Sequence, residues 1–151
     1  METDLATIIK SPQDLSDQHV QYFTFQLLEA LKYLHALNIV HRDLKPRNLL
    51  INSNCVLKVA DFGLSRIYNP TNETKITNMT DYVTTRWYRA PEVLVGWSKY
   101  TAAVDMWAVG TILAELIGRS PLFPGSDSLK QLDMIVRLMG KPPDKFMQVY
   151  D

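Results

Sequence analysis

The stretch His41-Arg42-Asp43-Leu44-Lys45-Pro46-Arg47-Asn48 decides how this chain is interpreted. Two shorter motifs follow it in order, Asp61-Phe62-Gly63 and then Ala90-Pro91-Glu92. Each motif alone is weak evidence, because Asp-Phe-Gly is common in turns and a buried histidine such as His41 is more often structural than catalytic. The three motifs together, in this order and at this spacing, indicate descent from a single protein family.

Short apolar runs between the first two motifs predict a β-hairpin. Residues 49–51 and 56–59 form short, mainly apolar runs, and Asn52-Ser53-Asn54 between them is typical of a hairpin turn. The predicted hairpin lies between Asn48 on one side and Asp61 on the other. We therefore expect the polar residues of these motifs in loops and at strand ends.

Three longer segments have the apolar spacing of helices. The first begins after Ser16 as the N-cap and ends near Asn38. The second covers residues 102–117, with Thr101 as a cap, and is expected to be buried in protein. The third begins after Ser126 or Asp127 and ends at Gly140. The predicted fold class is therefore mainly α with small β-hairpins.

Composition describes an ordinary globular domain. The chain has 151 residues, 46% hydrophobic and 21% charged, with zero formal net charge, so no field of one sign points to nucleic acid or a membrane. Cys55 is the single cysteine and cannot form an internal disulfide. The most apolar stretch, residues 102–117, is shorter than the ~20 residues of a membrane span. Without a secretory signal pattern at the N-terminus, an intracellular location is expected.

The three motifs resemble the catalytic machinery of protein kinases. The segment Asp105-Met106-Trp107-Ala108-Val109-Gly110 is also similar to that family. Residues 80–89 resemble the dual-phosphorylation lip of mitogen-activated protein kinases (MAP kinases), with Thr80-Asp81-Tyr82 in the Thr-x-Tyr positions. The resemblance covers essentially the whole chain, and it implies the C-terminal lobe of the kinase fold.

This resemblance implies roles for four residues of the catalytic segment. Asp43 would accept or orient the proton of the substrate hydroxyl, and Lys45 would hold the γ-phosphate of ATP. Asn48 and Asp61 would hold Mg²⁺, a hard cation that prefers oxygen ligands. Asp4 looks like the residue that meets the ATP ribose, and Leu50 looks like the apolar floor beneath the adenine.

The resemblance also implies regulatory sites. Thr80 and Tyr82 would be the activating phosphosites, and a phosphate there needs cationic partners. The arginines in the corresponding family positions are Arg42 and Arg66 for Thr80, and Arg86 and Arg89 for Tyr82. The residues that match the family's docking groove for partner peptides are Ile8, Leu15, His19, Phe23 and Cys55; for Phe23 and Leu15, plain core packing explains the pattern equally well.

The expected function is that of a serine/threonine kinase acting on Ser or Thr followed by Pro. Its expected partners are protein substrates, an upstream dual-specificity kinase and docking peptides, with neither nucleic acid nor membrane. Its expected location is the cytoplasm, with the nucleus as a second compartment.

The extent of the match leaves alternatives open. Residues 1–151 correspond to a partial kinase domain, from the end of the hinge to the helices after the activation segment, without a Gly-rich loop or a strand lysine of the N-terminal lobe. The chain alone is therefore expected to be inactive, and a catalytically silent docking fragment is an alternative function. A cyclin-dependent type of kinase is another, because it shares Trp87-Tyr88-Arg89-Ala90-Pro91-Glu92; Thr80-Asp81-Tyr82 argues against it.

Overall fold

The computed structural model describes residues 1–68, 86–96 and 101–143. In these ranges the chain is mainly helical with two small antiparallel sheets. The helices are α1 (Leu5–Lys10), α2 (Asp17–Ala36), α3 (Pro91–Leu94), α4 (Ala103–Gly118) and α5 (Ser128–Met139). The strands are β1 (Thr3–Asp4), β2 (Ile39–Val40), β3 (Leu49–Ile51), β4 (Leu57–Val59) and β5 (Arg66–Ile67). Short 3₁₀ turns cover Pro46–Asn48, Phe62–Leu64 and Arg86–Tyr88.

Helix α2 begins and ends close to the predicted residues. Ser16 is its N-cap and forms a capping box, in which the Ser16 side chain accepts from the His19 amide and the His19 ring accepts from the Ser16 amide. The helix ends two residues before Asn38, whose φ of 56° lies in the left-handed region that asparagine tolerates. Local capping chemistry therefore defines both ends of this helix.

The predicted hairpin forms one sheet with an unexpected third strand. In this sheet the order is β1-β3-β4, with Asp4 opposite Leu50 and Leu50 opposite Lys58. A second sheet pairs β2 with β5, with Val40 opposite Arg66. The sheets flank the catalytic segment, so they fix both of its ends.

The main core lies where α2, α4 and the β3–β4 hairpin meet. Its most buried members are Leu5, Leu31, Leu49, Ile51 and Ile112. Each such side chain contributes about 1.5–3 kcal/mol on burial. Helix α4 begins at Ala103 with Ala102 as its N-cap residue, one position after the predicted cap Thr101, although the Thr101 hydroxyl still accepts from the Ala103 amide at 3.2 Å.

Helix α4 differs from the expectation in one respect, because only one of its faces is buried. Val104, Asp105 and Ile112 face the core, whereas Met106 and Ile117 are exposed. No helix in the described part of the chain is long and apolar enough to cross a membrane.

Candidate active site

The catalytic segment is anchored by one buried carboxylate, Asp105 of α4. Its Oδ2 accepts the backbone N–H of His41 at 2.9 Å, and its Oδ1 accepts that of Arg42 at 2.8 Å. His35 Nε2 donates a third hydrogen bond to Oδ2 at 2.9 Å. Because Asp105 is only 1% exposed, these three bonds compensate for burying its charge.

The same anchor holds the backbone of Arg42 in an unfavourable conformation. Arg42 has a φ of 73°, and for a residue with a side chain the left-handed region costs about 1–2 kcal/mol. Asp61 has a φ of 64° in the same region. Left-handed residues held by the surrounding structure often mark functional segments, and these two lie in the two motifs that the sequence singled out.

Asp43 lies at the centre of a short network of polar side chains. Lys45 Nζ is 2.6 Å from Asp43 Oδ2, and Asn48 Nδ2 donates to Asp43 O at 2.8 Å and to Oδ2 at 3.3 Å. All three residues are buried or half-buried. The structure therefore brings together Asp43, Lys45 and Asn48, and their catalytic roles stay a prediction.

The Asp61-Phe62-Gly63 motif is tied to this network by its neighbours. The Ala60 amide donates to the Asn48 carbonyl at 2.9 Å, and His41 Nε2 donates to the Ala60 carbonyl at 3.0 Å. The rings of His41 and Phe62 pack edge to face at 5.0 Å between centroids. Asp61 itself is exposed and accepts from the Gly63 amide at 3.4 Å.

The residues predicted to hold Mg²⁺ fit that cation. Asn48 uses its amide nitrogen for both bonds to Asp43, so its amide oxygen takes no part in them. The exposed carboxylate of Asp61 adds a second oxygen donor. Among the described residues, no three His, Cys, Asp or Glu side chains are grouped to hold a metal, but Mg²⁺ is usually bound by one or two protein ligands together with phosphates and water.

The two residues predicted to contact the nucleotide are neighbours in the structure. Asp4 and Leu50 are register partners in the β1–β3 pair. Asp4 is also the N-cap of α1, where Oδ1 accepts from the Thr7 amide at 2.9 Å and Oδ2 from the Thr7 hydroxyl at 3.2 Å. This cap orients the Asp4 carboxylate at the edge of the sheet.

The four arginines predicted to bind phosphate fall in two environments. Arg42 and Arg89 are buried and line one small cleft together with Asp43. Arg66 is exposed and donates to the Ser65 carbonyl at 2.8 Å, and Arg86 Nη1 donates to the Ser126 carbonyl at 2.9 Å. The predicted phosphosites Thr80 and Tyr82 lie outside the described residues.

A buried pair of acidic groups lies behind this cleft. The Tyr88 hydroxyl donates to Glu115 Oε2 at 2.7 Å. Burial, the hydrogen bond and the negative charge of Glu115 raise the pKa of Tyr88 far above its ordinary value, although Arg47 opposes the shift. Burial also raises the pKa of Glu115 above 4.5, although the Tyr88 hydrogen bond and Lys10 oppose that shift. Tyr88 therefore remains a proton donor and fixes the position of the turn that contains it.

The five residues predicted for a docking groove line one groove of about 580 Å³. They are Ile8, Leu15, His19, Phe23 and Cys55. Gln26 holds the hairpin side of this groove, because its Nε2 donates to the Cys55 carbonyl at 3.0 Å and its Oε1 accepts the Leu57 amide at 2.9 Å. Cys55 has a φ of 61°, in the left-handed region, within the turn that joins β3 and β4.

Sequence reasoning did not assign the residues that support the site from a distance. Asp105 lay inside a recognised motif, but its bonds to His41 and Arg42 cross more than sixty positions, and no local pattern encodes them. His35 and Gln131 were likewise assigned no role in the site. The only available signal was a polar residue on the apolar face of a predicted helix, which applies to Asp105 and Gln131.

Comparisons with known proteins agree with this geometry. Residues 1–148 match the family described as protein kinase domain. The chain is 58% identical to Mitogen-activated protein kinase 6 of Oryza sativa subsp. japonica over 95% of its length and 37% of that relative. It is 55% identical to Mitogen-activated protein kinase 3 of the same plant over 100% of its length and 40% of the relative. It is 54% identical to Extracellular signal-regulated kinase 1 of Dictyostelium discoideum over 96% of its length and 27% of the relative.

The chain thus spans between 27% and 40% of the length of these relatives. Its match to the kinase domain family nevertheless covers almost all of its own residues. The chain belongs to the protein kinase domain family and is homologous to MAP kinases, which are serine/threonine protein kinases.

Proposed function

We propose that this chain forms the larger, helical lobe of a serine/threonine protein kinase of the MAP kinase type, which transfers the γ-phosphate of ATP to Ser or Thr followed by Pro. The observation that carries the proposal is the buried carboxylate of Asp43, held by Lys45 at 2.6 Å and by Asn48 in a segment anchored to Asp105. Residues 1–151 would be a partial kinase domain that acts together with a smaller lobe.

The geometry of Asp43 supports a role at the substrate hydroxyl. Its contacts with Lys45 and Asn48 both use Oδ2, so Oδ1 is the oxygen that we assign to the hydroxyl proton. The ammonium of Lys45 contacts Asp43 Oδ2 and is also placed to approach the transferred phosphate. Positioning and charge stabilisation of this kind are the main contributions of a protein to phosphoryl transfer.

Four more residues would bind the nucleotide and its metal. Asn48 and Asp61 would hold Mg²⁺ through oxygen, and Asp4 and Leu50 would contact the ribose and the adenine. Bound Mg²⁺-ATP supplies the phosphoryl group and neutralises part of its charge. The pairing of Asp4 with Leu50 in one sheet supports their assignment to one ligand.

Regulation would act through Thr80 and Tyr82, phosphorylated by an upstream dual-specificity kinase. The burial of Arg42 and Arg89 beside Asp43 supports this proposal, because a phosphate bound there would couple the lip to the catalytic segment. The buried Arg86 Nε has no hydrogen-bond partner among the described residues, which fits an anionic partner. The cytoplasm, with the nucleus as a second compartment, is the proposed location.

The test uses a two-lobed kinase, defined as this chain grafted into a MAP kinase relative in place of the residues that it matches. After activation it is assayed with a Ser-Pro peptide and a matched Ser-Ala peptide. We expect phosphate transfer with a preference of about tenfold or more for Ser-Pro. No transfer, or equal rates on both peptides, would contradict the proposal.

A second candidate function is a catalytically silent docking fragment. The groove lined by Ile8, His19 and Cys55 favours it, because all five residues predicted for docking line this one groove. In this case the isolated chain would compete with the two-lobed kinase for docking peptides. Titration of such a peptide onto the chain, with Ile8→Asp as the matched variant, tests docking, and phosphate transfer by the two-lobed kinase distinguishes the two functions.

A further inference from the structure

A buried glutamine on α5, Gln131, joins two segments that are distant in the sequence. Its side chain is fully buried. Its Oε1 accepts the Gly125 amide at 3.0 Å, and its Nε2 donates to the Trp87 carbonyl at 3.2 Å. The Trp87 indole Nε1 in turn donates to the Gly125 carbonyl at 3.1 Å. These three residues form a closed set of hydrogen bonds, which we call the Gln131 bridge.

The Gln131 bridge is tightly packed. A Cβ atom at Gly125 would lie 2.6 Å from the backbone nitrogen and Oε1 of Gln131, so only glycine allows this approach. Beside the bridge, Arg86 Nη1 donates to the Ser126 carbonyl at 2.9 Å. The first turn of α5 is fixed in turn by Asp127, whose Oδ1 accepts the Lys130 amide at 2.8 Å. The turn Arg86–Tyr88 is therefore held by a rigid helix end.

This turn leads directly into the catalytic cleft. Tyr88 and Arg89 line the same cleft as Arg42 and Asp43, and Arg89 follows the bridged Trp87 by two residues. A shift at Trp87 would therefore move the residues that border the reacting hydroxyl. In enzymes a misplacement of about 1 Å can reduce the rate about a hundredfold.

We infer that Gln131 is a positioning residue for substrate recognition. The Gln131 bridge fixes the turn Arg86–Tyr88 on α5, and this turn leads into the cleft beside Asp43. It therefore positions the surface next to the reacting Ser or Thr, where the following residue of the substrate lies. This inference rests on the proposed kinase function and deepens it. The bridge involves Trp87 and Gly125 and none of the residues assigned to the nucleotide, so we expect the effect to fall on peptide binding and selectivity and not on ATP.

The test compares two variants at position 131 in the two-lobed kinase. Gln131→Leu removes both the donor and the acceptor. Gln131→Glu keeps an acceptor for the Gly125 amide but places a carboxylate oxygen next to the Trp87 carbonyl oxygen, where it cannot donate a hydrogen bond. The matched control is Gln26→Leu, because the Gln26 amide also bridges two backbone groups, at Cys55 and Leu57, on the hairpin. The substrates are short Ser-Pro and Ser-Ala peptides without docking segments.

We expect both Gln131 variants to lower kcat/KM for the Ser-Pro peptide by about ten- to a hundredfold, mainly through peptide KM, and to reduce the preference over Ser-Ala. The KM for ATP should stay within about twofold of the parent value, since the bridge touches no nucleotide residue. Gln26→Leu should lower stability but keep the Ser-Pro preference.

The peptide KM of the Gln131→Glu variant adds a readout that does not depend on the fraction of folded enzyme. Burial raises the pKa of a carboxyl group, and the introduced carboxyl group, once protonated, could again donate to the Trp87 carbonyl. The peptide KM of Gln131→Glu relative to that of the parent should therefore fall as the pH falls from about 8 to about 6, while the relative KM of Gln131→Leu stays constant. If the leucine variant fails to fold, this pH comparison still tests the inference.

The outcomes separate this inference from the function on which it rests. A parent that prefers Ser-Pro, with Gln131 variants of unchanged preference and peptide KM, would overturn the inference and leave the proposed function standing. An equal loss of preference in Gln26→Leu would also overturn it, because the effect would then be one of stability. A parent that transfers no phosphate would contradict both.

Discussion

Replacement of Asp105 by asparagine tests the account of the catalytic segment in most detail. The carboxylate accepts hydrogen bonds from His35 and from the amides of His41 and Arg42, at 2.8–2.9 Å. Asparagine keeps one oxygen and turns an amide N–H₂ toward a backbone N–H, so at least one bond is lost. A buried hydrogen bond to a charged group contributes about 1.5–3 kcal/mol, and an unpaired donor adds about 1–3 kcal/mol.

We therefore expect Asp105→Asn to reduce the free energy of local opening of residues 41–48 by about 2–4 kcal/mol. The left-handed backbone of Arg42 then loses the bond that offsets its strain. The assay is hydrogen exchange in the two-lobed kinase, in which protection of the Arg42 amide should fall about thirty- to a thousandfold.

The matched control for this prediction is Asp133→Asn. Asp133 is an exposed residue of α5 whose carboxylate is 2.9 Å from Arg137 Nε. An exposed i,i+4 pair contributes about 0.5 kcal/mol or less, so its removal should leave exchange at Arg42 unchanged. Arg42 protection in Asp105→Asn within about threefold of the parent, or equal to that of the control, would refute the reasoning.

The site and its surroundings lead to three further predictions. Burial raises the pKa of Glu115 above 4.5, so the folded state holds the carboxyl proton more tightly than the unfolded state, and the free energy of unfolding falls as the pH rises through the raised pKa. The variant Glu115→Gln can still accept the hydrogen bond from Tyr88. In urea unfolding it should be at least as stable as the parent at neutral pH and lose this advantage below pH 4.5. The double variant Thr80→Ala/Tyr82→Phe should not be activated by the upstream kinase, and full activity in a peptide assay would reject these phosphosites. Residues 1–151 alone should bind Mg²⁺-ATP weakly, and they should self-associate because apolar residues of α5 are exposed to solvent, for example Leu129 at 80%. Calorimetry and light scattering test this, and micromolar binding of ATP by a monodisperse monomer would contradict it.

The sequence predicted those elements whose ends are encoded locally. Ser16 caps α2 and Asp127 caps α5, as expected, because each side chain accepts an amide only three residues away. The β3–β4 hairpin was predicted for the same reason, since its turn residues lie between its two strands. Caps and tight turns depend on neighbours in the sequence, and a single sequence contains that information.

Elements that depend on distant partners were not predicted. The two-residue strands β1, β2 and β5 exist only because they pair with segments far along the chain, such as Thr3 with Ile51. The short helix α1 was not predicted either. Helix α4 was expected to be buried, but its composition is apolar on all sides and could not indicate which face meets the core.

The residues of the candidate site also fall into two groups, those indicated by a local motif and those that depend on distant partners. Asp43, Lys45 and Asn48 could be proposed because they lie within six positions of one motif. The residues that hold them in place could not be proposed, because Asp105 lies 64 positions from His41 and Gln131 lies 44 positions from Trp87. Such bonds form only after the helices have packed, so a sequence indicates the reacting groups more readily than the residues that position them.

The central claim is that Asp43 acts on the substrate hydroxyl during phosphate transfer. The most direct measurement is the turnover of the activated two-lobed kinase with labelled ATP and a Ser-Pro peptide, compared with Asp43→Ala and with Asp133→Ala as the exposed control. We predict that Asp43→Ala lowers kcat by about two orders of magnitude or more, while the control stays within about twofold of the parent. Turnover of Asp43→Ala within about threefold of the parent would contradict the account.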